Sequence, residues 1–162
     1  RGGNRVTRPP LTVRQVMTAE VVTVAPDAPL DVVIGLMNLY RIGALVVVDP
    51  ARAPVGVFTD RDLLRRVAVA PEGWQALPVS TWMTANPHTI GPEVGWEEAL
   101  AALERLRVRH LPVVENGKVV GLISPRVLVA RREEYLTRVV EERTRALRQA
   151  NDHLLSRDAE LT

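Results

Sequence analysis

The chain of 162 residues contains no cysteine, so disulfide bonds, thiol catalysis and cysteine-ligated zinc are excluded for it. The absence of cysteine suits a reducing compartment, and we expect a cytoplasmic location. No apolar run approaches the roughly twenty residues that a membrane-spanning helix needs. The first residues also lack the apolar segment of a signal peptide. We therefore expect no membrane association.

Aromatic residues are scarce at 4% of the chain, and Lys118 is the single lysine among 21 basic residues. The net charge is only +2, and no block of basic residues interleaves with aromatic ones. Such a block is what single-stranded or structured nucleic acids usually require. We interpret the arginine excess as a consequence of genomic base composition and expect no nucleic-acid binding.

Catalytic motifs are also missing. The three histidines, His88, His110 and His153, show no metal-ligand spacing, so we expect no metal site. Neither a P-loop nor a Gly-x-Ser-x-Gly or Gly-x-Gly-x-x-Gly motif is present. We expect no enzyme in this chain. The alternative is that a catalytic domain lies elsewhere in a longer protein. The first residue is Arg rather than Met, as in an excerpt of such a protein.

The sequence does contain an internal repeat, and 46% of its residues are apolar, which is enough for a packed core. Three landmarks of the first copy return in order in the second: Val13–Thr18 as Val79–Thr84, Leu45–Val48 as Leu111–Val114, and Val55–Thr59 as Val120–Ser124. The repeat predicts the following division: an N-terminal extension over 1–12, repeat 1 over 13–68, a linker over 69–78, repeat 2 over 79–132 and a C-terminal helix over 133–162.

Each copy predicts the order strand, helix, strand, strand, helix. The first strand is expected near Val21–Val24 and the first helix after Asp27, a candidate N-cap. The remaining strands are predicted over Ala44–Val48, Val55–Phe58, Leu111–Val114 and Val119–Ile123, where β-branched residues cluster. Asn116-Gly117 predicts a two-residue hairpin, and Pro125 suits the first turn of a helix. Because one copy alone leaves a sheet face uncovered, we expect the two copies to pack together.

These landmarks resemble the CBS domain, named for cystathionine beta-synthase, in its paired form. The resemblance rests on the Met-Thr start, the Leu-Pro-Val-Val strand and Gly-Val-Phe-Thr-Asp-Arg-Asp-Leu, and it covers about 120 residues. It implies an α/β fold of two βαββα repeats about a pseudo-twofold axis, a Bateman module, followed by a long C-terminal α-helix. It also implies that two clefts between the repeats bind an adenosine ligand. In addition, it implies that the chain forms a homodimer through the repeats.

The resemblance places one ligand site where repeat 1 changes from strand to helix. Asp62 would accept the ribose hydroxyls, and Thr59 would reach a ribose or phosphate oxygen. Arg109 and His110 of repeat 2 would face the phosphates. The full set that the resemblance implies is Val57, Thr59, Arg61, Asp62, Thr84, Ala85, Pro87, Val108, Arg109 and His110. The competing interpretation is that Thr59 or Asp60 only caps a helix. In that case Arg109 and His110 only lie at a solvated helix end, where positive charge suits the helix dipole.

The second cleft departs from the family pattern, because Val127 stands where repeat 1 has Asp62. Its other expected residues are Thr18, Gly43, Ala44 and Ser124, none of which is charged. We therefore expect this cleft to bind a ligand weakly or to be empty.

The phosphate-facing residues of the first cleft, Arg109 and His110, favour AMP, ADP or ATP over S-adenosylmethionine.

The tail after Arg126 alternates charges of both signs, with no Gly or Pro beyond Pro125. Four apolar residues fall seven apart: Val140, Leu147, Leu154 and Leu161. Leu136 and Ala150 fit the companion position of a heptad repeat, although Arg143 and Arg157 fall there too. The pattern favours a dimerising coiled coil over a helix packed on its own domain. The segment Glu142–Asn151 also resembles connector helices of bacterial signalling proteins, which implies an output domain C-terminal to the chain.

The sequence therefore predicts a regulatory module that binds an adenine nucleotide between its repeats and signals through its last helix. The alternative function is a ligand-free dimerisation and interaction scaffold within a larger signalling protein. The sequence does not distinguish which nucleotide binds, or whether binding activates or inhibits.

Overall fold

The computed structural model of the protein describes residues 11–160. Most of the predicted N-terminal extension, and Leu161 of the heptad pattern, lie outside these residues. The helices are α1 (Val13–Val16), α2 (Leu30–Tyr40), α3 (Asp60–Asp62), α4 (Trp96–Leu106) and α5 (Pro125–Glu160). The strands are β1 (Thr23–Val24), β2 (Ala44–Val48), β3 (Pro54–Thr59), β4 (Thr84–Ala85), β5 (Leu111–Glu115) and β6 (Lys118–Ile123). A π-helical turn over Leu63–Val67 continues α3, and 3₁₀ turns span Trp74–Ala76 and Val79–Thr81.

The larger sheet has the order β1-β2-β3-β4 and combines strands of both repeats. β1 runs parallel to β2, and β2 and β3 form an antiparallel pair. The fourth strand, β4, begins repeat 2 and pairs antiparallel with β3 of repeat 1, with Val57 opposite Thr84. The two repeats are therefore joined by backbone hydrogen bonds as well as by side-chain packing.

The second repeat forms the same arrangement in a shorter version. β5 and β6 are antiparallel, Ile90 bridges to Val113 in parallel, and Thr18 of repeat 1 bridges to Leu122 antiparallel. Thr18 thus has the place in the second sheet that Thr84 has in the first. These matching exchanges relate the two repeats in the way the predicted pseudo-twofold arrangement requires.

The hydrophobic cores also exchange their first segments. Val13 and Val16 of α1 are fully buried in a core made otherwise of repeat 2 residues, among them Leu103, Leu111 and Ile123. In return, Val79 is buried in the core of repeat 1. The repeat pattern had predicted that each segment packs within the repeat to which it belongs in chain order. Chain order alone does not reveal which core a short apolar helix enters.

The start of α2 corrects one prediction. Asp27 is not the N-cap, because the helix begins only at Leu30 and Pro29 occupies the capping position in an extended conformation. The proline fixes its own backbone angle and so sets the helix start. The predicted hairpin in repeat 2 is confirmed, since Asn116 and Gly117 have φ angles of 53° and 76° between paired Glu115 and Lys118. Positive φ at both central residues is the type I′ geometry that Asn-Gly favours.

The chain divides into two units after Leu128. The first unit contains the two repeats and the first turn of α5. The second unit is the remainder of α5, and residues 129–160 include no buried side chain. The predicted long C-terminal helix is therefore present as a helix of 36 residues.

Candidate functional site

The junction of β3 and α3 holds the residues predicted to bind ribose. The hydroxyl oxygen of Thr59 accepts the Asp62 backbone N–H at 3.3 Å. In return, Asp62 Oδ2 accepts the Thr59 backbone N–H at 3.0 Å and the Thr59 hydroxyl at 3.2 Å. This is a reciprocal capping box, and it selects Thr59 rather than Asp60 as the N-cap. The box fixes the Asp62 carboxylate, whose side chain is only 12% exposed.

Arg66, which sequence analysis missed, links this junction to repeat 2. Its Nε lies 3.7 Å from Asp62 Oδ1, and its Nη1 donates to the carbonyl oxygens of Trp82 (3.2 Å) and Met83 (3.0 Å). The i, i+4 spacing of Asp62 and Arg66 on a predicted helix was the available signal. The carbonyls that Arg66 binds immediately precede Thr84, so Arg66 fixes the junction of β3 and α3 against the start of repeat 2.

Thr84 and Ala85 are exposed and lie beside β3, opposite Val57 and Gly56. The backbone N–H of Asn86 continues this pairing by donating to the Val55 carbonyl at 3.1 Å. The structure thus brings predicted residues of both repeats to one sheet edge.

The remaining predicted residues of the first cleft differ in exposure. Pro87 and Val108 are half-buried, while Arg61 and Arg109 are exposed. Val108 is fixed by its backbone N–H, which donates to the Leu103 carbonyl at 3.2 Å at the end of α4.

A cavity of about 160 Å³ lies in the second cleft. It is lined by all four residues predicted there, Thr18, Gly43, Ala44 and Ser124, and by Val127. Glu20, Val21, Val22, Ile42, Leu122 and Ile123, which sequence analysis missed, complete the lining with His110. The volume is below the roughly 300 Å³ at which ligand pockets usually begin. Val127 stands where repeat 1 has Asp62, but Glu20 and His110 bring titratable side chains to a lining that the sequence predicted to be uncharged, so that prediction is corrected.

His110 requires a correction, because it was assigned to the first cleft and lines the cavity of the second. Burial lowers the pKa of its imidazole below the usual value, Asp60 opposes this shift, and Arg109 adds to it. The Asp60 backbone N–H donates to the Gly43 carbonyl at 2.9 Å, so Asp60 also borders this cleft. The position of His110 depends on how β5 meets the other repeat, which the local sequence does not encode.

No group of three or more His, Cys, Asp or Glu side chains within residues 11–160 could hold a metal ion. No helix in the same range is long and apolar enough to cross a membrane.

The exchanged β-strands, the paired cores and the capped junction occur on a sequence whose residues 13–69 and 79–134 both match the CBS domain family model. The chain belongs to the CBS domain family. Residues 13–69 and 79–128 of the two matching segments lie in one folded unit.

Three similar proteins place this CBS pair among known ones. The CBS domain-containing protein CBSCBSPB5 of Arabidopsis thaliana is 33% identical over 70% of this chain, which spans 21% of that relative. The inosine-5'-monophosphate dehydrogenase of Aquifex aeolicus is 33% identical over 72% of this chain and 24% of its own length. The crystal structure of CBSX2 in complex with AMP matches with 25% identity and a TM-score of 0.66, covering 77% of this chain and 98% of that one. The chain therefore spans less than a quarter of the two sequence relatives.

Proposed function

We propose that this CBS pair is a regulatory module that binds an adenine nucleotide at the first cleft and transmits binding through α5. The observation that carries the proposal is the Thr59–Asp62 capping box, which presents a fixed, nearly buried carboxylate that Arg66 connects to the Met83 carbonyl of the other repeat. CBSX2, a structural neighbour, is described in complex with AMP, which supports the same ligand class here.

The chemistry of the cleft fits a ribose and a phosphate. Asp62 Oδ2 already accepts two hydrogen bonds from Thr59, but Oδ1 is paired only with Arg66 and keeps a lone pair that can accept a ribose hydroxyl. Phosphate would be met by the exposed Arg109 guanidinium. This cation favours AMP, ADP or ATP over S-adenosylmethionine, which has no phosphate. No metal is required.

Two contacts in the first unit support transmission to α5. Ser124 and Val127 line the second cleft, and the Ser124 hydroxyl oxygen accepts the Val127 backbone N–H at 3.2 Å. The indole N–H of Trp96 in α4 donates to the Leu128 carbonyl at 2.8 Å. A change in the angle between the repeats would therefore act on the first turn of α5. A ligand shifts this balance only by its different affinity for the two arrangements.

The homodimer that we include in this proposal has a candidate face on repeat 1. Val32, Leu39 and Tyr40 of α2 are 52%, 71% and 57% exposed, respectively. The positions in α4 equivalent to Val32 and Leu39 are Glu98 and Arg105, so repeat 2 carries no matching apolar face. A twofold dimer needs one self-complementary patch, which α2 supplies. Leu39→Arg should weaken association in sedimentation velocity, whereas Arg105→Leu should not.

The second candidate function, a ligand-free interaction scaffold, is favoured by one observation. Asp62 already has structural partners in Thr59 and Arg66, and these would explain its presence without a ligand.

In either function we propose that the module serves a larger cytoplasmic signalling protein with an output domain after α5. We also propose that this chain itself is not the enzyme, although the Aquifex relative is named as a dehydrogenase.

The deciding experiment is thermal unfolding of the chain with adenine and guanine nucleotides, each at millimolar concentration. A ligand at a hundred times its Kd adds about 2.7 kcal/mol to the unfolding free energy, which we expect from one adenine nucleotide. Asp62→Ala should abolish this shift. The matched control is Gln15→Ala, which opens the corresponding Thr12–Gln15 capping box on α1 and should leave the shift intact. No shift with any nucleotide would favour the scaffold.

A further inference from the structure

We propose that two copies of α5 pair as a parallel, in-register coiled coil in which the two Asn151 side chains face each other. This inference rests on the dimer in the proposed function and adds the seam, the orientation and the residue that sets them.

The apolar stripe on α5 has no cover in a single chain. Val140, Leu147 and Leu154 are 62%, 71% and 59% exposed. An isolated helix gains little stability from its backbone alone, so a helix of this length needs a packed face. Because the stripe repeats every seven residues, its partner must share the same period. A second copy of this chain supplies that period.

The seam needs a second row of residues beside the stripe, and two rows are available. The row named in the sequence analysis consists of Leu136, Arg143, Ala150 and Arg157, and it would bury two pairs of like-charged guanidinium groups between the helices. The other row consists of Thr137, Thr144, Asn151 and Asp158. Three of these four residues are neutral, and a single asparagine is tolerated inside a two-stranded seam. Asp158 would place one pair of like charges near the end of the helix, whereas Arg143 and Arg157 would place two. We therefore assign the second row and correct the first.

Leu155 supports this choice independently. It is 60% exposed in the single chain. With Asn151 in the seam, Leu155 flanks the stripe, and Ala150 of the other helix packs against it in a parallel pair. With Arg143 in the seam, Leu155 would instead point away from the partner and remain in water. The assigned seam therefore covers an apolar residue that the alternative exposes.

The polar row also selects the orientation. In a parallel pair, equal positions meet, so the two Asn151 amides can hydrogen-bond to each other. In an antiparallel pair Asn151 would face an apolar stripe residue and leave its amide unpaired, which is costly. One cost of the parallel arrangement is that Arg143 approaches Arg148 of the other helix. Because salt screens this repulsion, added salt should strengthen the pairing.

Single cysteines test the assignment directly, because the chain has none of its own. We expect Thr144→Cys and Leu154→Cys each to form a disulfide-linked dimer rapidly under mild oxidation. Arg143→Cys should link more slowly, and Gln149→Cys, on the outer face, should not link. An antiparallel pair could self-link at no more than one of positions 144 and 154. Faster linking at 143 than at 144 would overturn the seam, and linking at only one of 144 and 154 would overturn the orientation.

Asn151→Val tests the role assigned to Asn151. The variant should remain dimeric by sedimentation and unfold at a higher temperature, because a buried asparagine costs stability. Cross-linking at Thr144→Cys should fall several-fold in this background, as other alignments become populated. Unchanged cross-linking would show that Asn151 does not set the register. A chain that stays monomeric at every concentration would instead overturn the dimer of the proposed function. This result differs from a failure of the seam or the orientation, in which the chain still dimerises but cross-links at other positions.

Discussion

Gly56 lies directly beneath the side chain of Met83, so closely that a Cβ atom at Gly56 would overlap the Met83 thioether. Gly121 stands in the same relation to Met17, with the roles of the repeats exchanged. Each Met-Thr segment thus packs on a glycine of the other repeat, and these two contacts place Thr84 opposite Val57 in β3 and Thr18 in the lining of the second cleft. The absence of a side chain at these glycines is what permits the exchange.

Gly56→Ala should therefore destabilise the fold, by about 1–3 kcal/mol if Met83 can move only partly. The matched control is Gly35→Ala in α2, where an added Cβ would meet nothing within 4 Å. That change should stabilise by about 1 kcal/mol, because alanine is the better helix former. Chemical denaturation of both variants measures the difference. Equal effects of the two substitutions would contradict the packing described for Gly56.

The C-terminal ends of α2 and α4 give a second prediction. Arg41 and Arg107 occupy equivalent positions, and both have a φ of 53° in the left-handed region. Glycine adopts this conformation without the steric cost that a Cβ carries. Arg107→Gly should raise the unfolding free energy by about 1 kcal/mol. By contrast, Arg105→Gly inside α4 should lower the unfolding free energy by a similar amount. If both substitutions changed the unfolding free energy in the same direction, the left-handed conformation of Arg107 would not be the cause.

The repeated elements were predictable because their causes are local. The strand Ala44–Val48 has the predicted bounds, and the Asn116-Gly117 turn follows from the positive φ angles that these residues tolerate. The position of His110 and the burial of Val13 in the other repeat were not predictable. Both depend on contacts between segments far apart in the sequence, for which composition and periodicity give no signal.

Trp96 anchors the first turn of α5, which gives a third prediction. Trp96→Phe keeps most of the ring but removes the indole N–H that donates to the Leu128 carbonyl. The loss should reduce the unfolding free energy by about 1 kcal/mol. Amide exchange should accelerate in the first two turns of α5 and stay unchanged in β2. The same substitution at Trp74, which donates no such bond to α5 in the part of the chain described, serves as control.

His110 makes the stability depend on pH. Burial lowers the pKa of the folded imidazole below 6.5, while the unfolded chain keeps the usual value. Near and below pH 6.5 the unfolded state therefore binds more protons than the folded state. The unfolding free energy attributable to His110 is fully present above that pH and declines as the pH falls through the folded pKa. His110→Asn should remove this part of the dependence in denaturation series between pH 8 and pH 5.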